Sequence, residues 1–256
     1  MKFFIQSLRA ALSLGVFLVL WGLGVLWFQP PEYLTPHPFK VFSAFKNDFA
    51  DSMMHTATTG MEAFAGFSMA LLLAAIMGIL FFRLKQFKAI LLPWLTALQS
   101  TPVIALAPLL VVWFGSGMIS KVVMAAIISF FPMLMSILTG FSEVDRDAKA
   151  LFKVYKVGYV STLRYLLFPA ALPVIVSGMK VSASLSVVGA IVAEFTGSDN
   201  GLGHMILNAS YRLDTPKLFV GLILSGVLGY LAYTIPDILR VLFPKSWQKD
   251  TGKDGL

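Results

Sequence analysis

Between Val122 and Phe141 the chain carries no charged residue, and between Ala170 and Ala193 it carries only Lys180. Apolar runs of about 20 residues match the hydrocarbon thickness of a bilayer when helical. In lipid every backbone polar group must be bonded internally, so such runs cross as helices; a barrel would need short alternating strands instead. Composition points the same way: 57% hydrophobic and 13% charged residues, against about 45–50% and 25% in soluble domains. The expectation is an all-α membrane protein forming one domain, 1–256, with six transmembrane helices at about 12–28, 57–82, 89–114, 122–141, 170–193 and 218–235. Lys2 and Arg9 ahead of Leu12–Phe28 have the outline of a signal peptide, but the run is long and no small-x-small cleavage site follows it, so a retained first span is expected. The polar stretch after it holds a short amphipathic surface helix at Phe39–Phe49. Pro93, Pro102 and Pro108 imply a kinked third span.

Net charge is +7, and its distribution reads as membrane orientation, not nucleic-acid binding. With both termini cytoplasmic, 14 basic residues lie inside: Lys2, Arg9, Arg83, Lys85, Lys88, Arg146, Lys149, Lys153, Lys156, Arg164, Arg240, Lys245, Lys249 and Lys253. Five lie outside: Lys40, Lys46, Lys121, Arg212 and Lys217. Cysteine is absent, which excludes disulfides and thiolate metal sites. His37, His55 and His204 are scattered and fit no metal motif, and no phosphate-cradling GxxxxGK[ST] occurs, so neither a resident metal or cofactor nor ATP hydrolysis by this chain is expected.

A charged island, FSEVDRDAKALFKVYKVGYVSTLRYLLFPAALP (141–173), separates the two longest apolar runs. Ala148, Leu151, Phe152, Tyr155 and Tyr159 share one helical face, and Lys149, Lys153 and Lys156 another. Gly158 offers a break, and Val160, Leu163 and Leu167 predict a second short helix stopped by Pro169 and Pro173. This cytoplasmic loop, 142–169, either lies on the membrane with lysines toward anionic headgroups or docks on a partner.

The island resembles the coupling loop of the permease subunits of bacterial ATP-binding-cassette importers. Setting that motif's proline on Pro169 places Lys156 at its glycine and Ala150, Leu151 and Phe152 at its Glu-Ala-Ala. PEYLTPHPFKVFSAF, LLPWLTALQSTPVIALAPLLVVWFGSG and FPAALPVIVSGMKVSASLSVVGAIVAEFTGSDNGLG are similar to the sulfonate, nitrate and taurine branch of these permeases. The resemblance implies a type I importer permease in the bacterial cytoplasmic (inner) membrane. It implies a permease homodimer, two ATP-hydrolysing cassette subunits, and a periplasmic or lipid-anchored substrate-binding protein. The cargo it implies is a small polar anion such as a sulfonate, nitrate or taurine, or a vitamin precursor. The coupling residues would be Leu151, Phe152, Lys153, Tyr155, Lys156, Gly158, Thr162 and Arg164; Phe152→Asp and Gly158→Pro are expected to abolish transport.

Other candidates are polar residues in apolar surroundings. Glu62 and Lys180 sit at or within spans, where burial against lipid costs roughly 2.5–3.5 kcal/mol. Both are candidates for lining the translocation path, where Lys180 would suit an anion, and each can instead snorkel to a nearby interface, which is the expectation for Glu62. Gln99, Ser100, Thr101 and Ser184 are further path candidates, although the Gln99–Thr101 patch before Pro102 can equally satisfy backbone groups freed by the kink. Glu194, Asp199 and Asn200 are candidates for an outer gate or binding-protein docking, with ordinary turn chemistry expected of the last two. Two rival classes are an ion-gradient transporter, which needs acids near the midplane, and an intramembrane enzyme, which needs converging catalytic groups.

Overall fold

The computed structural model describes residues 2–100 and 102–240; Thr101 and the tail lysines 245, 249 and 253 lie outside them. The described residues are helices joined by short turns: α1 (Lys2–Phe28), α2 (Pro38–Asn47), α3 (Phe49–Arg83), α4 (Lys85–Ser100), α5 (Ala107–Phe114), α6 (Met118–Glu143), α7 (Arg146–Val154), α8 (Tyr159–Thr162), α9 (Phe168–Glu194), α10 (Leu202–Tyr211) and α11 (Thr215–Arg240). Among the described residues four unbroken stretches are long and apolar enough to cross a membrane: Phe49–Arg83, Met118–Glu143, Tyr159–Glu194 and Thr215–Ile238. The third expected span is broken more sharply than a kink: Lys85–Gln99 and Val103–Phe114 meet at 89°. Pro102 lacks the amide hydrogen that a continuing helix would use, which favours a break here. The apolar part of α1 among the described residues is Leu18–Phe28.

α3, α6 and α9 form the packed centre, and α11 lies against α9. Small residues allow the close approach. A Cβ on Gly66 of α3 would stand 2.4 Å from the Ala125 Cβ of α6, and one on Gly189 of α9 would stand 2.7 Å from the Ala125 Cα. Ala125 is therefore clasped from both sides with no room for a methyl group, a contact typical of membrane helices, where packing replaces the hydrophobic drive. Farther along the same helices Ala74, Phe81, Met133, Leu134, Ile137, Phe141, Leu167 and Ala171 fill a second layer.

The expected stop at Pro169 and Pro173 does not occur, and Tyr159–Glu194 runs as one 36-residue rod. Residues Leu163–Leu167 wind as a π-helical turn, with the Phe168 amide bonded to the Leu163 carbonyl. Pro169 falls in the first turn of α9, where a missing amide donor costs little. The wider turn absorbs the misfit that would otherwise end the helix.

Candidate functional site

At the basic end of the bundle, α7 starts from Asp145, whose carboxylate accepts the Asp147 amide at 3.1 Å. The helix ends at Val154, and the chain reverses through Lys156, whose φ of 52° lies in the left-handed region. The break spans residues 155–158: the reversal falls at Lys156, the position aligned with the importer motif's glycine, and Gly158 closes it as the N-cap of α8. Gly158 has φ −62° and ψ 155°, and a Cβ there would touch nothing. The apolar face also divides. Phe152 is half-buried, while Leu151, Val154 and Tyr155 are exposed at 54%, 77% and 74%. Lys153, Lys156 and Arg164 are exposed around them, and Arg164 lies over the Tyr165 ring at 5.6 Å.

Tyr159 does not join that exposed face. Its hydroxyl donates to the Ile79 carbonyl at 3.1 Å, and the Arg83 guanidinium lies 5.5 Å from its ring. Both partners are on α3, so Tyr159 pins the loop to the core. Thr162 bonds the Gly158 carbonyl at 3.1 Å and stabilises the first turn of α8.

At the opposite end lies a buried polar cluster that joins residues far apart in sequence. Glu194 is 1% exposed; it accepts the Thr59 hydroxyl at 2.6 Å and the Gly203 amide at 2.5 Å. Thr59 in turn accepts the Leu202 amide at 2.8 Å, and His55 Nδ1 accepts the Gly201 amide at 3.0 Å. Three successive amides at the start of α10 are thus bonded by side chains of α3 and α9, satisfying donors a helix N-terminus leaves open. Gly201 has φ 105°, and a Cβ on it would fall 2.2 Å from Glu194 Oε1, so the turn requires glycine twice over.

Glu62 does not reach an interface; it is 3% exposed and its carboxyl faces those of Glu194 and the ammonium of Lys121. Helix α3 extends outward to Phe49, which leaves Glu62 more than three turns inside the helix. Lys121, expected in an outer loop, is fully buried in the first turns of α6 and donates to the carbonyls of Ser116 and, at 2.9 Å, Gly197. His55 and His204 lie with ring centroids 5.9 Å apart, although the sequence separates them widely. Asp199 and Asn200 are exposed in the turn, where Ser198 donates to the Asn200 carbonyl at 2.7 Å.

Two of the path candidates, Lys180 and Ser184, lie one turn apart on α9 and both face α11. Lys180 bonds Asp237 of α11 at 2.6 Å and lies 4.5 Å from the Tyr233 ring centroid. Asp237 compensates its charge within the protein. Ser184 is half-buried with its hydroxyl toward Gly229 of α11, and Gln99 is exposed on α4, whose last residue is Ser100.

The sequence reading missed Thr59, Lys121 and His55. One signal was available: Ser52, His55, Thr59 and Glu62 recur at three- and four-residue spacing along an otherwise apolar helix, and all four are buried.

Comparison with known proteins now has geometry to bear on. Residues 70–248 match the family described as binding-protein-dependent transport system inner membrane component. A probable ABC transporter permease of Haemophilus influenzae is 33% identical, covering 92% of this chain and 96% of its own. The riboflavin transport system permease RibX of Chloroflexus aurantiacus is 32% identical over 94% and 91%, and the putative aliphatic sulfonates permease SsuC of Bacillus subtilis 30% over 91% and 84%. Among solved structures, the inward-facing MetNI methionine ABC transporter superposes with a TM-score of 0.60 at 17% identity, covering 77% of this chain and 96% of that one.

Proposed function

Because this chain belongs to the binding-protein-dependent transport system inner membrane components, the permeases of ATP-binding-cassette importers, we propose that two copies of it enclose a translocation path across the bacterial cytoplasmic membrane. Each copy docks one ATP-hydrolysing subunit through residues 146–167, and a separate binding protein delivers solute at the end bearing Glu194. The supporting observation is the strip Leu151, Val154 and Tyr155, held out from the bundle by the Asp145 cap and the Tyr159 anchor. Exposed apolar anchors ringed by Lys153, Lys156 and Arg164 have the make-up of an interface core with a polar rim.

The cargo is a small polar organic solute of the kind handled by relatives named for riboflavin, formylaminopyrimidine, aliphatic sulfonates and taurine. With Lys180 neutralised by Asp237, recognition of negative charge rests elsewhere, and solute selection falls chiefly to the binding protein.

Co-expression with a cassette ATPase of the same organism that co-purifies with the unaltered chain tests the docking claim. Leu151→Asp with Tyr155→Asp should leave the permease in the membrane and abolish co-purification of the ATPase and uptake. Retained co-purification of that double variant would refute docking at this strip.

A further inference from the structure

On the same end of the molecule, but beside the coupling helix and not on its exposed strip, lies a cavity of about 560 Å³ unused by the mechanism above. Its walls are of two kinds. Phe81, Phe82, Leu138 and Phe141 form an apolar floor from α3 and α6, and Lys85, Lys88 and Lys149 form the rim from α4 and α7. Among the described residues no carboxylate pairs with any of these three lysines. The nearby acids are otherwise placed: Asp145 caps α7, and Glu143 and Asp147 are exposed on the chain before and after it. Lys149 is partly spent on the last carbonyls of α6, reaching Phe141 at 3.0 Å and Ser142 at 3.3 Å. Burial, and then the charge of Arg146, hold its ammonium below the usual lysine range, so an arriving anion would be favoured there.

We propose that this cavity is a binding site for an anionic phospholipid of the cytoplasmic leaflet, with the phosphate held by Lys85, Lys88 and Lys149 and the acyl chains running along the α3–α4 face. Three observations select a lipid over a soluble anion. Lys85 and Lys88 stand in the first turn of α4, directly after the apolar helix Phe49–Arg83 ends, and Lys149 faces them from α7. The floor is apolar and aromatic, as a glyceride backbone requires and a hydrated ion does not. Beyond the rim Leu84, Phe87 and Ile90 are exposed at 47%, 36% and 66%, continuing an apolar track for chains. Basic pockets between helices on the cytoplasmic side hold anionic headgroups by this combination of charge and apolar contact. A lipid seated here touches α3, α4 and the root of the coupling helix through Lys149, so its presence would stiffen the loop that carries the docking strip. The assignment rests on the cytoplasmic orientation of this end, but its test does not depend on transport.

Native mass spectrometry of the full-length chain in detergent provides that test, with dioleoyl-phosphatidylglycerol and dioleoyl-phosphatidylcholine titrated separately. The phosphatidylglycerol adduct should form at lower lipid concentration, and Lys85→Gln with Lys88→Gln should weaken it at least about tenfold without changing the phosphatidylcholine adduct. Both lysines are surface residues, so the variant folds; Lys153→Gln with Lys156→Gln, which removes equal charge from the exposed loop, should leave the adduct intact. Equal loss in the two double variants would reduce the effect to general electrostatics and overturn the site. Displacement of the lipid by millimolar inorganic phosphate would overturn it in favour of a soluble anion.

Discussion

Replacing Glu194 by glutamine and by alanine should give separable effects, because its two oxygens do different work. Oε2 accepts the Gly203 amide and Oε1 the Thr59 hydroxyl. In Glu194→Gln the amide oxygen can keep Gly203, and the new NH2 can point at the Thr59 oxygen. The Thr59 proton then has an alternative acceptor, the His55 carbonyl at 3.2 Å, and its oxygen retains a second lone pair for the Leu202 amide. The Gly203, Leu202 and Thr59 donors all stay bonded, and the loss is mainly the difference between charge-assisted and neutral bonds, about 1–2 kcal/mol. In Glu194→Ala the Gly203 amide is buried without an acceptor, at about 1–3 kcal/mol. Lys121 also loses one of its three neighbouring carboxylates, Glu62, Glu194 and Asp199, and removing one partner from a buried charged group brings the total to about 3–5 kcal/mol. Thermal unfolding of the purified chain in detergent should then move down by roughly 10 °C for alanine and by a few degrees for glutamine. Thr59→Val removes a hydroxyl from the same chain of bonds, so Glu194→Ala with Thr59→Val should cost less than the sum of the two. Equal shifts for alanine and glutamine, or strict additivity of the pair, would refute this account of the cluster.

Gly201→Ala combines a φ of 105° with a Cβ 2.2 Å from a carboxylate oxygen, and should destabilise by at least about 2 kcal/mol in the same melt. Gly158→Pro, by contrast, meets a φ of −62° and open space, so ATPase co-purification and uptake should survive, where the sequence alone led to an expected loss of transport. Lys156→Gly should stabilise the loop turn by about 0.5–1 kcal/mol and Lys156→Ile should destabilise it by a similar amount, measurable by limited proteolysis of residues 150–160. Tyr159→Phe removes the bond to the Ile79 carbonyl, worth about 1 kcal/mol; cleavage within residues 150–160 should quicken and uptake fall while the ATPase still binds.

The all-helical membrane class was legible in the sequence because an uncharged run near the bilayer thickness has few other uses; the prolines of the third span announced a kink but not an 89° turn. The π turn at Leu163–Leu167 was not legible, since nothing in LRYLL marks a wider winding; only Pro169 and Pro173 hint at a need for it. The coupling face was legible as periodicity but not as partition. Periodicity groups Phe152 and Tyr159 with Leu151 and Tyr155, whereas tertiary contact turns the first pair inward and leaves the second exposed. The outer cluster was the hardest to read. Glu62, Lys121 and Glu194 lie about 60 or more residues apart, and a charge near a span end is read as interfacial unless its partner is known. The spacing of Ser52, His55, Thr59 and Glu62 was the one local sign that α3 turns a polar stripe inward.

The two ends of this permease are ends of the same helices. α3 carries His55, Thr59 and Glu62 at one end and, at the other, Ile79 and Arg83, which hold Tyr159. The rod from Tyr159 to Glu194 begins at the loop and finishes inside the outer cluster. At 1.5 Å per residue a continuous 36-residue helix is about 54 Å long, enough to cross the bilayer with length to spare. A displacement of α7 therefore reaches the outer cluster through two packed helices clasped at Ala125, with no need for a chain of side-chain rearrangements between. The π turn at the foot of that rod is the place where such a push can be absorbed or passed on, because its i→i+5 bond can shift register at lower cost than an α-helical turn. The outer amides are held by Glu194, Thr59 and His55, side chains supplied by both helices, so relative sliding of α3 against α9 must loosen the start of α10. Clasping at Ala125, one turn from Lys121, and side-chain capping of α10 together tie the start of α10 to the packing of α3 and α9 on α6.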